Sequence, residues 1–242
     1  MTLATDWSSQ SNVSSPLLPL EQSAKTPLMA KQLPYPTLVE IFHRFQATEA
    51  EPKGELYHTN AYTLTVAVAL SAQATDAGVN KATEKLFKIA DTPQKMIDLG
   101  EEQLIEHIKT IGLYRNKAKN VMKMAHILVD DFGGNVPSSR AALQSLPGVG
   151  RKTANVVLNM WWGHPAQAVD THIFRVGNRT GIAPGKDVDV VERAIEDNIP
   201  AEFQHHAHHW LILHGRYICV ARKPKCKACP IEDLCPFEEK TT

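Results

Sequence analysis

The stretch Leu146-Pro147-Gly148-Val149-Gly150-Arg151-Lys152-Thr153-Ala154 decides how this chain is read. It lies between two predicted short helices, at about residues 138–145 and 151–161. Two closely spaced glycines free the backbone for a tight hairpin with an unusual φ. They also remove side chains, so a phosphate can approach the amides of Gly148, Gly150 and the first turn of the next helix. Unpaired N–H donors and a partial positive charge gather at that helix end. Such a contact reads the nucleic-acid backbone and gives affinity without sequence preference. The competing reading is an ordinary helix–turn–helix corner.

Lys152 stands at the start of the second of these helices, an unfavourable place for an ammonium. If the site also excludes water, the neutral amine is favoured, and a neutral amine is a nucleophile able to form a Schiff base. A surface lysine resting on phosphate explains the position equally well. Asp170, in Ala168-Val169-Asp170-Thr171-His172, is the lone acid between Phe132 and Lys186. It suits a carboxylate that stabilises positive charge at a reacting centre, and it suits equally the N-cap of a helix over 171–179.

All four cysteines, Cys219, Cys226, Cys229 and Cys235, fall near the C-terminus in the pattern C-x6-C-x2-C-x5-C. Four crowded thiols with none elsewhere indicate one four-thiolate metal site rather than disulfides. Zinc and an iron–sulfur cluster both accept that ligand set, and the unpaired spacing leans toward the cluster. Ligation would fix the loop 220–225 and aim Arg222, Lys223 and Lys225 at phosphate. His205, His206, His208 and His209 sit on one predicted helix, but no acid accompanies them, and they read as core or surface histidines rather than ligands.

Composition sets the outer bounds. A chain of 242 residues with 43% hydrophobic and 21% charged residues suits a folded protein of one or two domains. That balance argues against a disordered chain or a disulfide scaffold. No apolar run approaches the length of a membrane helix. Lysine plus arginine equals aspartate plus glutamate, at 26 each, yet the charges are sorted. No acid lies in 107–129 or 203–231, and acids crowd into 40–106 and 187–202. A neutral chain sorted this way can present a cationic face to a polyanion; solvated helix faces that never converge are the alternative.

Residues 1–35 read as a disordered tail without the features of a signal peptide or a mitochondrial presequence. From Tyr35 onward the periodicity is helical. Thr92-Pro93 reads as an N-cap followed by proline in the first turn. Pro200 is predicted to open a helix running to about His214. The segment 61–70 alternates large and small residues and is ambiguous between strand and helix. A lone strand has no partner, so it is read as helix.

Taken together, Leu146–Ala154, Val169–Arg175, His208–Cys219, the cysteine tail, Ser71–Asp76 and Ile111–Tyr114 resemble the endonuclease III family of the helix-hairpin-helix DNA glycosylase superfamily. The similarity spans roughly residues 35–239. It implies an all-α fold of two helical lobes: a six-helix barrel domain over 54–164, and a 4Fe-4S cluster domain combining 36–53 with 165–242. DNA would lie in the groove between them. It implies a bifunctional DNA N-glycosylase and apurinic/apyrimidinic lyase that removes oxidised pyrimidines from duplex DNA, a monomer in the bacterial cytoplasm associated with the nucleoid. By this resemblance Lys152 is the nucleophile and Asp170 its catalytic partner. Gln73 fills the gap left by the extruded nucleotide and Leu113 wedges beside the opposite strand. Gly148, Gly150, Arg151, Arg222 and Lys223 contact the DNA backbone, and Cys219, Cys226, Cys229 and Cys235 hold the cluster. Gln144 departs from the glutamate common in close relatives, which leaves lesion preference open.

Two competing functions remain at this level. One is a related adenine-mismatch glycosylase, which lacks the lysine nucleophile and has a further C-terminal domain. The other is a non-enzymatic DNA-binding module with a structural zinc.

Overall fold

The structure is a computed structural model that describes residues 30–241; most of the predicted tail, residues 1–29, lies outside them. Among the described residues the fold is all-helical, with eleven α-helices and two 3-10 turns and no strand. The helices are α1 (Tyr35–Thr48), α2 (Ala61–Leu70), α3 (Asp76–Ile89), α4 (Pro93–Leu99), α5 (Glu101–Ile108) and α6 (Tyr114–Phe132). They continue with α7 (Arg140–Gln144), α8 (Arg151–Trp162), α9 (Thr171–Thr180), α10 (Val188–Asn198) and α11 (Gln204–Tyr217). Among the described residues no helix is long and apolar enough to cross a membrane.

The ambiguous segment is helix α2. The Asn60 side chain accepts from the Thr63 amide at 2.8 Å and Thr63 answers with the reciprocal bond, closing a capping box. Nearly every α2 residue is buried, including Leu64, Val66, Ala67 and Leu70 at 0% exposure. A helix surrounded by protein needs no polar face, so it carries no helical period. Thr92 caps α4 as predicted, accepting from the Lys95 amide at 3.2 Å. Pro200 departs from expectation: it introduces a 3-10 turn, Ala201–Phe203, and the α-helix starts only at Gln204.

The apolar residues gather into two cores. One is built from α2 to α8 and includes Leu86, Leu104, Met124, Leu128 and Val157. The other joins α1 to everything after residue 168, with Phe42, Ile173, Val191, Leu211 and Ile231 at its centre. Leu38, Ile41, Phe42 and Phe45 form the buried stripe of α1, and Phe42 stacks on Phe203 with ring centres 5.8 Å apart. Each such side chain contributes about 1.5–3 kcal/mol by leaving water. Residues 30–34, part of the expected tail, lie along α9 and the turn after it. The Leu33 amide donates to the Gly181 carbonyl at 2.9 Å, and Gln32 to the Ile182 carbonyl at 3.0 Å.

The segment from Gly163 to Asp170 carries the chain from one core to the other. Polar ties cross nearby: Arg216 on α11 donates to Asp76 at the start of α3 at 2.7 Å, and Asn159 on α8 donates to the His205 carbonyl at 3.1 Å. Helices α9 and α11 pack so closely that a Cβ on Gly215 would stand 2.9 Å from Cβ of His172.

Candidate functional site

The hairpin forms because its ends are anchored and its middle is bare. Leu146 and Val149 are buried, and the Val149 amide donates to the Leu146 carbonyl at 3.1 Å. Gly148 takes a φ of +81°, and a Cβ there would meet Asn120 on α6 at 3.3 Å. The expected unusual φ belongs to this glycine alone. Gly150 is extended, with φ −85° and ψ 178°, and its role is openness: nothing lies within 4 Å of where its Cβ would be. It caps α8 with no side-chain bond, so among the described residues the first amides of α8 have no partner.

Lys152 is exposed in the first turn of α8. The dehydration expected around it is therefore not built into the protein alone. Its charge reaches His208 on α11. That imidazole is buried and pushed down to about 3, first by burial and then by the neighbouring charges of His209, Lys152 and Arg216.

Asp170 is the N-cap of α9. Its Oδ1 accepts from the amides of both His172 and Ile173 at 2.8 Å. One carboxylate oxygen thus fixes the side chain, and Oδ2 has no partner among the described residues. Asn155 on α8 links the two residues' surroundings, because its Nδ2 donates to the carbonyl of Gln167, three residues before Asp170, at 2.8 Å.

Backbone strain marks three further candidates. Among the described residues, Gln73 (φ 56°), Leu113 (φ 60°) and Lys223 (φ 53°) are the non-glycine residues with a left-handed backbone. Such conformations cost on the order of 1–3 kcal/mol and gather at functional sites. Gln73 and Leu113 are exposed on adjacent loops, and a Cβ on Gly112 would lie 3.9 Å from the Gln73 carbonyl. Gln73 sits between α2 and α3, while Leu113 opens α6 with no side-chain cap.

The expected cationic face is partly neutralised. Arg151 forms a bidentate pair with Glu192, its Nη2 at 2.8 Å from Oε1 and its Nε at 3.0 Å from Oε2. Arg140 lies 3.6 Å from Glu196, and Arg216 pairs with Asp76 and Glu55. The guanidinium of Arg151 is thus occupied, unlike the free phosphate contact expected of it. Lys152, Arg222 and Lys223 enter no ion pair among the described residues. Glu192 was missed at the sequence level because it sits in an acidic stretch that reads as solvated. Asn155 was missed because one amide on a helix gives no signal.

Cys219, Cys226, Cys229 and Cys235 line one cavity, together with Arg179, His214, Ile218 and Phe237. The four thiols face one shared space and make a donor set of four sulfurs. Burial pushes the Cys229 thiol up to about 11 and raises Cys235 as well. Four thiolates here need a cationic group at their centre, and iron supplies that charge. The residues therefore fit the cluster.

Arginines tie this loop to α9. Arg175 donates from Nε to the Cys219 carbonyl at 3.0 Å and from Nη2 to the Gly215 carbonyl at 2.7 Å. Arg179 donates to the Val220 carbonyl at 2.9 Å and lies over the Phe237 ring at 4.6 Å.

Comparison with known proteins agrees with this geometry. Residues 66–201 match the HhH-GPD superfamily of base excision DNA repair proteins, and residues 219–235 match the iron–sulfur binding domain of endonuclease III. The endonuclease III of Escherichia coli (strain K12) is 56% identical over 202 residues, covering 84% of this chain and 96% of that protein. The endonuclease III of Haemophilus influenzae gives the same identity and coverage. A solved structure of a trapped endonuclease III–DNA covalent intermediate superposes with a TM-score of 0.78 at 43% identity, covering 85% of this chain and 97% of that one. The match to an iron–sulfur domain overturns the zinc-module alternative. With an all-helical fold, a glycine hairpin and a four-cysteine iron–sulfur site in that family's order, the chain belongs to the endonuclease III family of base excision repair DNA glycosylases.

Proposed function

We propose that this chain is a bifunctional DNA N-glycosylase and apurinic/apyrimidinic lyase acting on oxidised pyrimidines in duplex DNA. One observation carries the reading: Lys152 stands exposed at an uncapped helix end beside an open glycine hairpin, linked through Asn155 to the segment ending in Asp170. The hairpin amides take a backbone phosphate. Gln73 and Leu113, held out on strained loops, occupy the space left when the damaged nucleotide leaves the stack. The docked DNA then dehydrates the lysine, which the free protein leaves in water.

The neutral amine of Lys152 attacks C1′, forming a C–N bond as the bond from C1′ to the base breaks. The base departs with the electron pair and takes a proton. Asp170, fixed by its two amide bonds, stabilises the positive charge that develops on the sugar. Ring opening gives an imine, which acidifies the C2′ protons. Loss of one of them expels the 3′ phosphate by β-elimination. Cys219, Cys226, Cys229 and Cys235 would hold a 4Fe-4S cluster whose contribution would be structural, keeping in place the loop from which Arg222 and Lys223 reach phosphate.

Borohydride reduction tests the reading. Wild-type protein should become covalently joined to abasic duplex DNA, and Lys152→Ala should not. Equal adduct yields from the two proteins would remove the lysine from the chemistry. Runs on duplexes with different lesions, with base release and strand breaks scored separately, define the substrate.

A further inference from the structure

Lys152 and Asp170 stand on helices rooted in different cores, so their separation depends on whatever joins the two lobes beside them. The buried carboxylate of Glu192, on α10 in the second lobe, is such a join. Its side chain is 5% exposed, and three donors converge on it. Arg151 reaches it from Nε and Nη2, and Asn155 donates to Oε1 at 3.0 Å. Arg140 adds a second guanidinium at 3.8 Å. Arg151 directly precedes Lys152, and Asn155 lies one turn after it on the same helix. The same Asn155 amide bonds the Gln167 carbonyl, on the strap that leads to Asp170. One carboxylate therefore grips the turn bearing the amine, and through one amide it reaches the strap bearing the acid. A buried carboxylate is costly to desolvate, and this one is matched by bonds to nearly all its acceptor sites.

We propose that Glu192 is a positioning residue for base excision: through Arg151 and Asn155 it sets Lys152 against Asp170 across the seam between the lobes. The inference rests on the reading of Lys152 as nucleophile. It also assigns Arg151 to this clamp, in place of a phosphate contact.

The test uses full-length, cluster-loaded protein and a duplex carrying thymine glycol. Single-turnover excision rate, dissociation constant, salt dependence and thermal melting are measured for wild type, Glu192→Gln, Arg151→Met and the double variant. Glu192→Gln should slow excision at saturating enzyme at least tenfold, with affinity within threefold of wild type. Arg151→Met should do the same and leave the slope of log affinity against log salt unchanged. The double variant should lose little beyond either single one, as expected of groups acting as a unit. Arg151 is nearly half exposed, so its variant carries the test if Glu192→Gln fails to fold.

A folded Glu192→Gln or Arg151→Met protein excising at the wild-type rate would overturn the proposal. So would a salt slope reduced by about one in Arg151→Met, which would return that residue to phosphate. Lys152→Ala is run beside them. If it still traps on DNA, the nucleophile reading itself has failed. If it does not trap and the Glu192 and Arg151 variants match wild type, only the clamp has failed.

Discussion

Gln73 and Leu113 share the same rare backbone conformation on neighbouring loops, at φ 56° and φ 60°, where a Cβ on Gly112 would stand 3.9 Å from the Gln73 carbonyl. Neither residue is paid back by burial, since both are exposed, and Leu113 leaves 59% of its surface in water. Strain without a packing reward points to a task outside the folded chain.

Leu113→Gly separates that task from stability. Glycine adopts a left-handed backbone without steric cost, which offsets its greater freedom in the unfolded chain. The melting midpoint should hold or rise, by up to about 1 kcal/mol in stability, while excision falls at least tenfold. Urea unfolding and single-turnover assays on one preparation check both halves. A variant that loses stability and keeps activity contradicts the wedge.

Asp170 combines a cap with a proposed charge-stabilising role, and asparagine distinguishes them. Asp170→Asn keeps an oxygen acceptor for the His172 and Ile173 amides, so stability should stay within about 1 kcal/mol. Excision should fall about a hundredfold or more as the negative charge disappears. Asp170→Ala should lose the cap as well. Full activity in the asparagine variant would leave Asp170 with only its structural task.

Lys223, in the loop between the first two cysteines, should act as a plain backbone contact. Lys223→Glu should weaken binding to damaged and undamaged duplexes alike and lower the salt slope by at least about one. Fluorescence anisotropy across a salt series measures this. A loss confined to damaged DNA would give the residue a different role.

His208 and His209 give the fold a sensitivity to acid. Burial holds both imidazoles below the ordinary value of 6.5, to about 3 for His208 and about 4 for His209. Above pH 6.5 folded and unfolded forms are both neutral, and the pair leaves stability untouched. Below it the unfolded chain takes up protons that the folded one refuses. Stability therefore falls with pH, by at most about 1.4 kcal/mol per unit and per imidazole, until the folded values are passed. Urea melts between pH 7 and 4.5 should show a shallower decline for His209→Gln than for wild type. Parallel declines would refute the assignment.

What the sequence disclosed, and what it hid, follows from how local each signal is. The hairpin, the Thr92 cap and the cysteine pattern declare themselves within a few residues, because turn geometry and metal ligation demand particular residue types. Helix α2 hid its type because it is buried on every side. Glu192 hid because a buried carboxylate held by arginines is spelled like a solvated one. The strain at Gln73 and Leu113 has no local spelling either, and those residues came from family resemblance rather than from periodicity. The edge of the tail was misplaced because residues 30–34 are ordered by partners some 150 positions later, where local composition cannot see them.

The placement of α1 has a consequence for biosynthesis. Its buried stripe of Leu38, Ile41, Phe42 and Phe45 belongs to the core built from residues 169 onward, and Trp210 donates to the Glu49 carbonyl at 2.7 Å. As the polypeptide emerges from the ribosome, α1 precedes these partners by the whole of the intervening lobe and must wait for them. The intervening lobe, whose partners are close in sequence, should become protease-resistant on the nascent chain well before α1 does. Cleavage near residue 50 in stalled chains that end before residue 169, and protection there after release, is the expected pattern; early protection at that point would contradict it.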